Sequence, residues 1–172
     1  MKILIRGAGD LATGIASRLY GAGHQILMTE IEVPLTVRRT VALSRAVYEK
    51  KVQIEEMEGF LAEDGQSAQA VLERGGIAVM VDPEMECRKW FRPDVIVDAI
   101  LAKKNLGTTR DMAPLTIALG PGFTAGVDVD LVVETKRGHR LGRIIREGAA
   151  IPNTGVPGVI GGYGAERVIH AE

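Results

Sequence analysis

The chain has 172 residues, 46% hydrophobic and 25% charged, which suits one sizeable core and excludes a wholly disordered chain. Lys and Arg total 21 against 22 Asp and Glu, so no basic excess exists to grip a phosphate backbone, and nucleic-acid binding is disfavoured. One cysteine excludes an intrachain disulfide framework, and with three scattered histidines it makes no closed zinc site. No apolar run approaches the ~20 residues of a membrane span. Arg6 and Asp10 interrupt the first apolar stretch, against a secretory leader. A cytoplasmic protein is expected, with no metal site and no membrane contact.

In chain order, Ile3-Leu4-Ile5 reads as a buried strand and Gly7-Ala8-Gly9 as a tight turn. Leu11, Ile15, Leu19 and Tyr20 then recur at helical spacing until Gly21 and Gly23. Gln25 to Thr29 is a second strand, completing a βαβ unit. Pro34 suits a first helical turn, and Leu35, Arg38, Ala42 and Ala46 predict a helix after it. Val52 to Met57 reads as one weak strand, Gln66 to Arg74 as a helix, and Ile77 to Val81 as a strong strand. A short helix through Trp90 is followed by strands Val95 to Leu101 and Leu115 to Leu119. This alternation predicts an α/β fold, a Rossmann-like, doubly wound, mostly parallel sheet.

The texture changes at Gly120, and from Gly120 to Gly164 fall eleven of the 21 glycines. Asp128 to Thr135 and Leu141 to Arg146 read as a hairpin turning at Lys136-Arg137-Gly138-His139, and residues 152–158 as a loop. Residues 1–119 are therefore expected to form a nucleotide-type domain and 120–172 a glycine-rich β appendage.

Gly7-Ala8-Gly9-Asp10-Leu11-Ala12 fits G-x-G-x-x-A, the dinucleotide turn. The first small residue makes the turn, the second admits a pyrophosphate, and the third lets helix and strand pack. Glu30 ends the next strand, where a ribose-binding acid stands, and its charge favours NAD over NADP. Asp10 either caps the helix or repels a pyrophosphate. Arg38 and Arg39 either pair with ligand oxygens or form a solvated helix face. Lys103-Lys104-Asn105 with Thr108 either holds an anion beyond a strand's carboxyl end or forms a polar turn. Gly120 and Gly122 either line the same crevice or mark a domain junction. Lys136 to Arg140, with His139 among them, either binds an acidic ligand or partner or forms a charged hairpin tip. Cys87 reads as a small buried hydrophobe. No tyrosine precedes a lysine by four residues, and neither a G-x-S-x-G elbow nor a Walker loop is present, so catalytic residues stay unassigned.

Taken with Val37-Arg38-Arg39, Asp98 to Asn105, Gly120 to Phe123, Glu134 to His139 and Pro152 to Gly155, the Arg6 to Gly14 turn resembles the YqeB-type accessory proteins of selenium-dependent molybdenum hydroxylases. That family is similar to the xanthine dehydrogenase accessory factors. The resemblance spans nearly the whole chain. It implies a maturation role, with molybdenum hydroxylase subunits as partners and the molybdenum cofactor, a phosphate-bearing pterin, as ligand. Such proteins continue into a further C-terminal segment, so a truncated homologue or part of a longer protein is expected.

Three readings follow. In the first, an accessory protein holds a molybdopterin-type or nucleotide cofactor, a small anionic ligand, at the crevice. Gly7, Gly9, Asp10, Leu11 and Ala12 shape the phosphate turn, and Glu30 takes a hydroxyl. Arg38, Lys103, Lys104, Asn105 and Thr108 meet anionic oxygens, with Gly120 and Gly122 alongside. The second is an NAD-linked oxidoreductase. The third is a partner-docking module without a small ligand, whose glycine-rich tail binds a partner or a second copy in a homo-oligomer.

Overall fold

The architecture is taken from a computed structural model that describes residues 1–152, 159 and 161–164. Strand β1 (Lys2–Arg6) leads into helix α1 (Asp10–Gly21) and strand β2 (Gln25–Glu30). Next come α2 (Ala46–Glu49), β3 (Lys51–Ile54), β4 (Met57–Leu61), α3 (Gly65–Glu73) and β5 (Ile77–Val81). The one-turn helix α4 (Arg88–Phe91) precedes β6 (Val95–Asp98) and β7 (Leu115–Leu119). The remainder is β8 (Thr124–Ala125), β9 (Leu131–Val133), β10 (Ile144–Ile145) and β11 (Gly148–Ala149).

Nine strands form one sheet in the order β10-β9-β7-β6-β1-β2-β5-β4-β3. Every neighbouring pair is parallel except at the two edges, β3 on β4 and β10 on β9. This is a Rossmann-like α/β sheet. Its central strands carry apolar side chains at successive positions, because both faces are covered. Ile3, Ile5, Ile26, Met28, Val79 and Val97 project to one face, packed with Ala12 and Ala16 of α1. Leu4, Leu27, Ala78 and Ile96 project to the other, against Ala68 and Leu72 of α3. Each fully buried aliphatic side chain contributes about 2 kcal/mol. Helix α3 starts where Asp64 accepts from the Ser67 N–H at 2.7 Å, within a reciprocal capping box.

The sheet continues past Gly120. Strand β9 adds to β7, β10 adds to β9, and β8 pairs with β11 in a separate two-stranded sheet. Ala118, Phe123, Ala125, Val129, Val132 and Ala150 pack together beneath them.

Several sequence expectations are corrected. No helix follows Pro34. That stretch has no regular structure until short 3-10 turns at Arg39–Val41 and Leu43–Arg45. The reason is that Leu35 and Val37 are 83% and 95% exposed, so the helical spacing there has no core to face. The weak strand expected at 52–57 is the hairpin β3–β4, turned at Glu55 with φ 52°. Strand β6 stops at Asp98 rather than Leu101, whose φ of 61° breaks the extended run. The strand expected at 128–135 shortens to β9. Asp128 and Asp130 accept from the Thr124 and Thr116 N–H groups instead. Residues 153–158 of the expected 152–158 loop lie outside the described residues.

Candidate functional site

The chain runs outward from β1 to β2 and β5, then returns to place β6 and β7 on the other side of β1. Such a reversal leaves a crevice beyond the carboxyl ends of the two strands it separates. A cleft of about 730 Å³ opens there. Gly7, Gly9, Asp10, Leu11, Ala12, Glu30 and Arg38 all line it. These residues of the candidate set are brought together.

Gly7 has φ 96°, and a Cβ there would stand 3.3 Å from the Ala99 carbonyl carbon and oxygen. Only glycine lets the turn press this closely on the loop after β6. Gly9 is the N-cap of α1, extended at φ −65°, and no side chain caps the helix. Asp10 therefore stands in the first turn rather than capping it, and it pairs with Arg38. Gly9, Asp10, Leu11 and Ala12 line the cleft, so the positive end of the α1 dipole lies at its wall. Thr13, one turn in, donates its hydroxyl to the Gly9 carbonyl at 2.9 Å and accepts from the Leu43 N–H at 2.9 Å. Ser44 donates its N–H to the Ala8 carbonyl at 2.8 Å. The segment after the 3-10 turn thus braces the glycine turn from behind.

Glu30 turns its carboxylate toward the same turn. One oxygen accepts from the Ala8 N–H at 3.1 Å and the other from the Ile31 N–H at 2.9 Å. Thr29, its neighbour, is 1% exposed, lines the cleft, and has a buried hydroxyl without a hydrogen-bond partner among the described residues. Leu11, Ile31, Leu35, Val37, Ile100 and Leu106 give the cleft an aliphatic rim.

Arg6 lines the cleft and stands beside Asp98, a pairing that the sequence did not indicate. Arg6 and Asp98 are 4% and 2% exposed, in register at the ends of β1 and β6. Arg6 donates to the Pro83 carbonyl at 2.8 Å, the Leu106 carbonyl at 3.0 Å and the Thr108 hydroxyl at 3.0 Å. The one available signal was a charged residue closing each of two otherwise apolar strands.

The remaining candidates lie elsewhere on the same edge of the sheet. Lys103 and Lys104 are exposed and do not line the cleft. Asn105 shapes their loop, accepting from the Gly107 and Thr108 N–H groups and donating to the Thr108 carbonyl. Thr108 is buried and donates to Asp98 at 2.6 Å. Gly120 lies against Leu101 and Thr135. Gly122 (φ 110°) packs so closely on the lysine loop that a Cβ would meet Lys104 Cα at 2.6 Å. These two glycines support the loop from below.

Cys87 is buried. Burial and the nearby Asp82 carboxylate push its thiol far above the ordinary range, so it packs as an apolar group. Among the described residues no three His, Cys, Asp or Glu side chains group to hold a metal ion, and no helix is long and apolar enough to cross a membrane.

Over 169 residues the chain is 52% identical to the uncharacterized protein YqeB of Escherichia coli (strain K12). The match takes in 98% of this chain and 31% of that relative, so the chain spans about a third of its length. This similarity supports the likeness to YqeB and brings neither an accessory role nor an activity with it. No protein-family model matches the chain, and no solved structure matches it.

Proposed function

We propose that the chain binds a phosphate-bearing cofactor, a nucleotide or a molybdopterin-type pterin, in the cleft at the switch point. Its role is that of an accessory protein in molybdenum hydroxylase maturation, acting with the hydroxylase subunits in the cytoplasm. The observation that carries this reading is the start of α1, which no side chain caps and whose Gly9, Asp10, Leu11 and Ala12 line the cleft. A helix start of this kind suits a phosphate oxygen. Arg38 offsets the charge of Asp10, which otherwise opposes an anion there. The aliphatic rim suits a flat ring, and Glu30 suits a sugar hydroxyl.

The NAD-linked reading shares this binding geometry through Glu30. No recognisable hydride-transfer acid or base motif in the sequence supports it, so the binding role is preferred.

Gly9→Asp tests the proposal. Aspartate is a favoured N-cap, so the variant keeps α1 while placing a carboxylate where the phosphate would sit. The expected result is a folded variant that no longer binds a ligand bound by the natural chain, in titrations with NAD, nucleotides and molybdenum cofactor followed by native mass spectrometry. Unchanged affinity in the folded variant would overturn the site. Nicotinamide turnover by the natural chain would move the dehydrogenase reading to the front.

A further inference from the structure

The hairpin of β9 and β10 carries a second concavity, about 290 Å³, lined by Arg140, Arg143 and Arg146 with Glu134, Glu147 and Ile145. From Lys136 to Arg146 the chain has Lys136, Arg137, His139 and these three arginines, and no Asp or Glu. Elsewhere Arg6, Arg38, Arg45, Arg88 and Arg110 each face a carboxylate, while Arg18, Arg39, Arg74 and Arg92 are scattered along the chain without one among the described residues. Among the described residues, Arg140, Arg143 and Arg146 have no ion-pair partner.

The buried acid in this concavity offsets part of their charge but makes no ion pair with them, its oxygens being committed to backbone N–H groups. Glu134 is 2% exposed, and its two carboxylate oxygens accept from the Lys136 and Ile151 N–H groups, each at 2.8 Å. It ties the end of β9 to the segment after β11. Its backbone N–H donates to the Arg143 carbonyl at 2.9 Å, and its carbonyl accepts from the Gly142 N–H at 2.8 Å. The arginines therefore sit on a braced frame, with Glu147 as the one other acid beside them. Three like charges held on one short hairpin repel each other. A multiply charged oxyanion relieves that repulsion, and the planar guanidinium fork matches phosphate oxygens.

We infer that this arginine hairpin is a second binding site, for a phosphate group on a monoester or diphosphate. Strand β9 runs parallel to β7, so the hairpin begins on the same edge of the sheet as the glycine turn. Three strand spacings separate β1 from β9, about 14 Å. Thr135 beside Gly120, and Leu101 between Gly120 and the cleft, connect the two places. The phosphate belongs either to the far end of an elongated ligand seated in the cleft, which rests on the reading above, or to a separate compound.

Titration of the full chain with inorganic pyrophosphate, followed by calorimetry, tests the site. The paired substitution Arg143→Gln with Arg146→Gln, both on exposed side chains, is expected to weaken binding at least about tenfold. The control pair Lys103→Gln with Lys104→Gln, exposed and outside both concavities, is expected to leave it near the natural value. Equal affinity in the arginine variant, or an equal loss in the lysine control, overturns the site. NAD serves as the cleft probe. Displacement of pyrophosphate by bound NAD assigns the phosphate to an elongated ligand, and simultaneous binding assigns it to a separate compound. Failure of NAD to bind counts against the cleft reading alone.

Discussion

Arg6 and Asp98 stand side by side on adjacent parallel strands, 3.5 Å apart between Nη1 and Oδ2, with the Thr108 hydroxyl bridging them. Neither has water to fall back on. Arg6→Met leaves the Asp98 carboxylate buried without its counter-charge, held only by the Thr108 hydroxyl and the Ile100 N–H, at an expected cost of about 3–5 kcal/mol. Adding Asp98→Leu removes the orphaned charge, so the double variant should be more stable than Arg6→Met itself. Urea unfolding of the two variants decides it. A double variant less stable than the single one would show that the pair is not coupled.

The two glycines of the turn differ in kind. Gly7→Ala forces a side chain into the left-handed region against the Ala99 carbonyl, at an expected cost of about 1–3 kcal/mol. Gly9 has an ordinary φ, and a Cβ there meets only Thr36 Oγ1 at 3.4 Å. Gly9→Ala is expected to cost under about 1 kcal/mol, mostly as a poorer helix cap. Thermal unfolding of both variants checks the order.

Glu30 occupies the Ala8 N–H, so any sugar hydroxyl it accepts arrives at a carboxylate already aligned. Glu30→Ala is expected to weaken binding of a nucleotide with a free ribose 2′-hydroxyl by roughly tenfold, since a charge-assisted hydrogen bond is lost. The same change should narrow the gap between NAD and NADP. Parallel titrations with the two compounds check this, and an unchanged ratio would remove Glu30 from the ligand contacts.

Cys87 should resist modification. With its thiol shielded by burial and disfavoured as a thiolate beside Asp82, a disulfide reagent at pH 8 is expected to react slowly until urea is added. Its raised pKa also has a sign. The unfolded thiol ionises from about pH 8.5 while the folded one does not, so stability is whole below that pH and falls as pH rises. Cys87→Ala should lessen that alkaline loss, which pH-dependent urea midpoints will show.

Asp130 works in the opposite direction. Burial alone would raise its pKa. Hydrogen bonds from the Thr116 N–H and hydroxyl, with Arg110 beside it, outweigh this and hold it below the ordinary range. Its contribution is present above the unfolded value of about 3.9 and is lost as pH falls through the lower folded value. Asp130→Asn is expected to cost about 1–3 kcal/mol at pH 7 and to flatten the acid limb of the stability profile. An acid limb as steep as the natural chain's would contradict this.

The glycine turn, its flanking strand and helix, and the acid at Glu30 were legible because each local signal agrees with the fold. Small residues, apolar periods and the spacing to the acid all point to one βαβ unit. The stretch after Pro34 was not. Its apolar spacing is helical, yet Val33, Leu35 and Val37 stay exposed while Leu43 and Ala46 reach the core. Periodicity does not say whether a partner surface exists. The β3–β4 turn was hidden because Glu55, not glycine or asparagine, takes its left-handed position. Arg6 and Asp98 were not legible as a pair for another reason. Their pairing depends on which strands become neighbours, and β1 and β6 lie far apart in the chain.

Arg6 reaches Pro83 after β5, Leu106 after β6, and Asp98 and Thr108 beneath them. It thereby joins segments distant in sequence into one wall. In a cell, alleles of Arg6 and Asp98 should therefore be depleted by quality control before any ligand is met. Alleles of Gly9 and Arg38 should accumulate to normal abundance and fail only in their task. A genetic screen that scores protein level alongside phenotype would sort the cleft's residues into those that build it and those that use it.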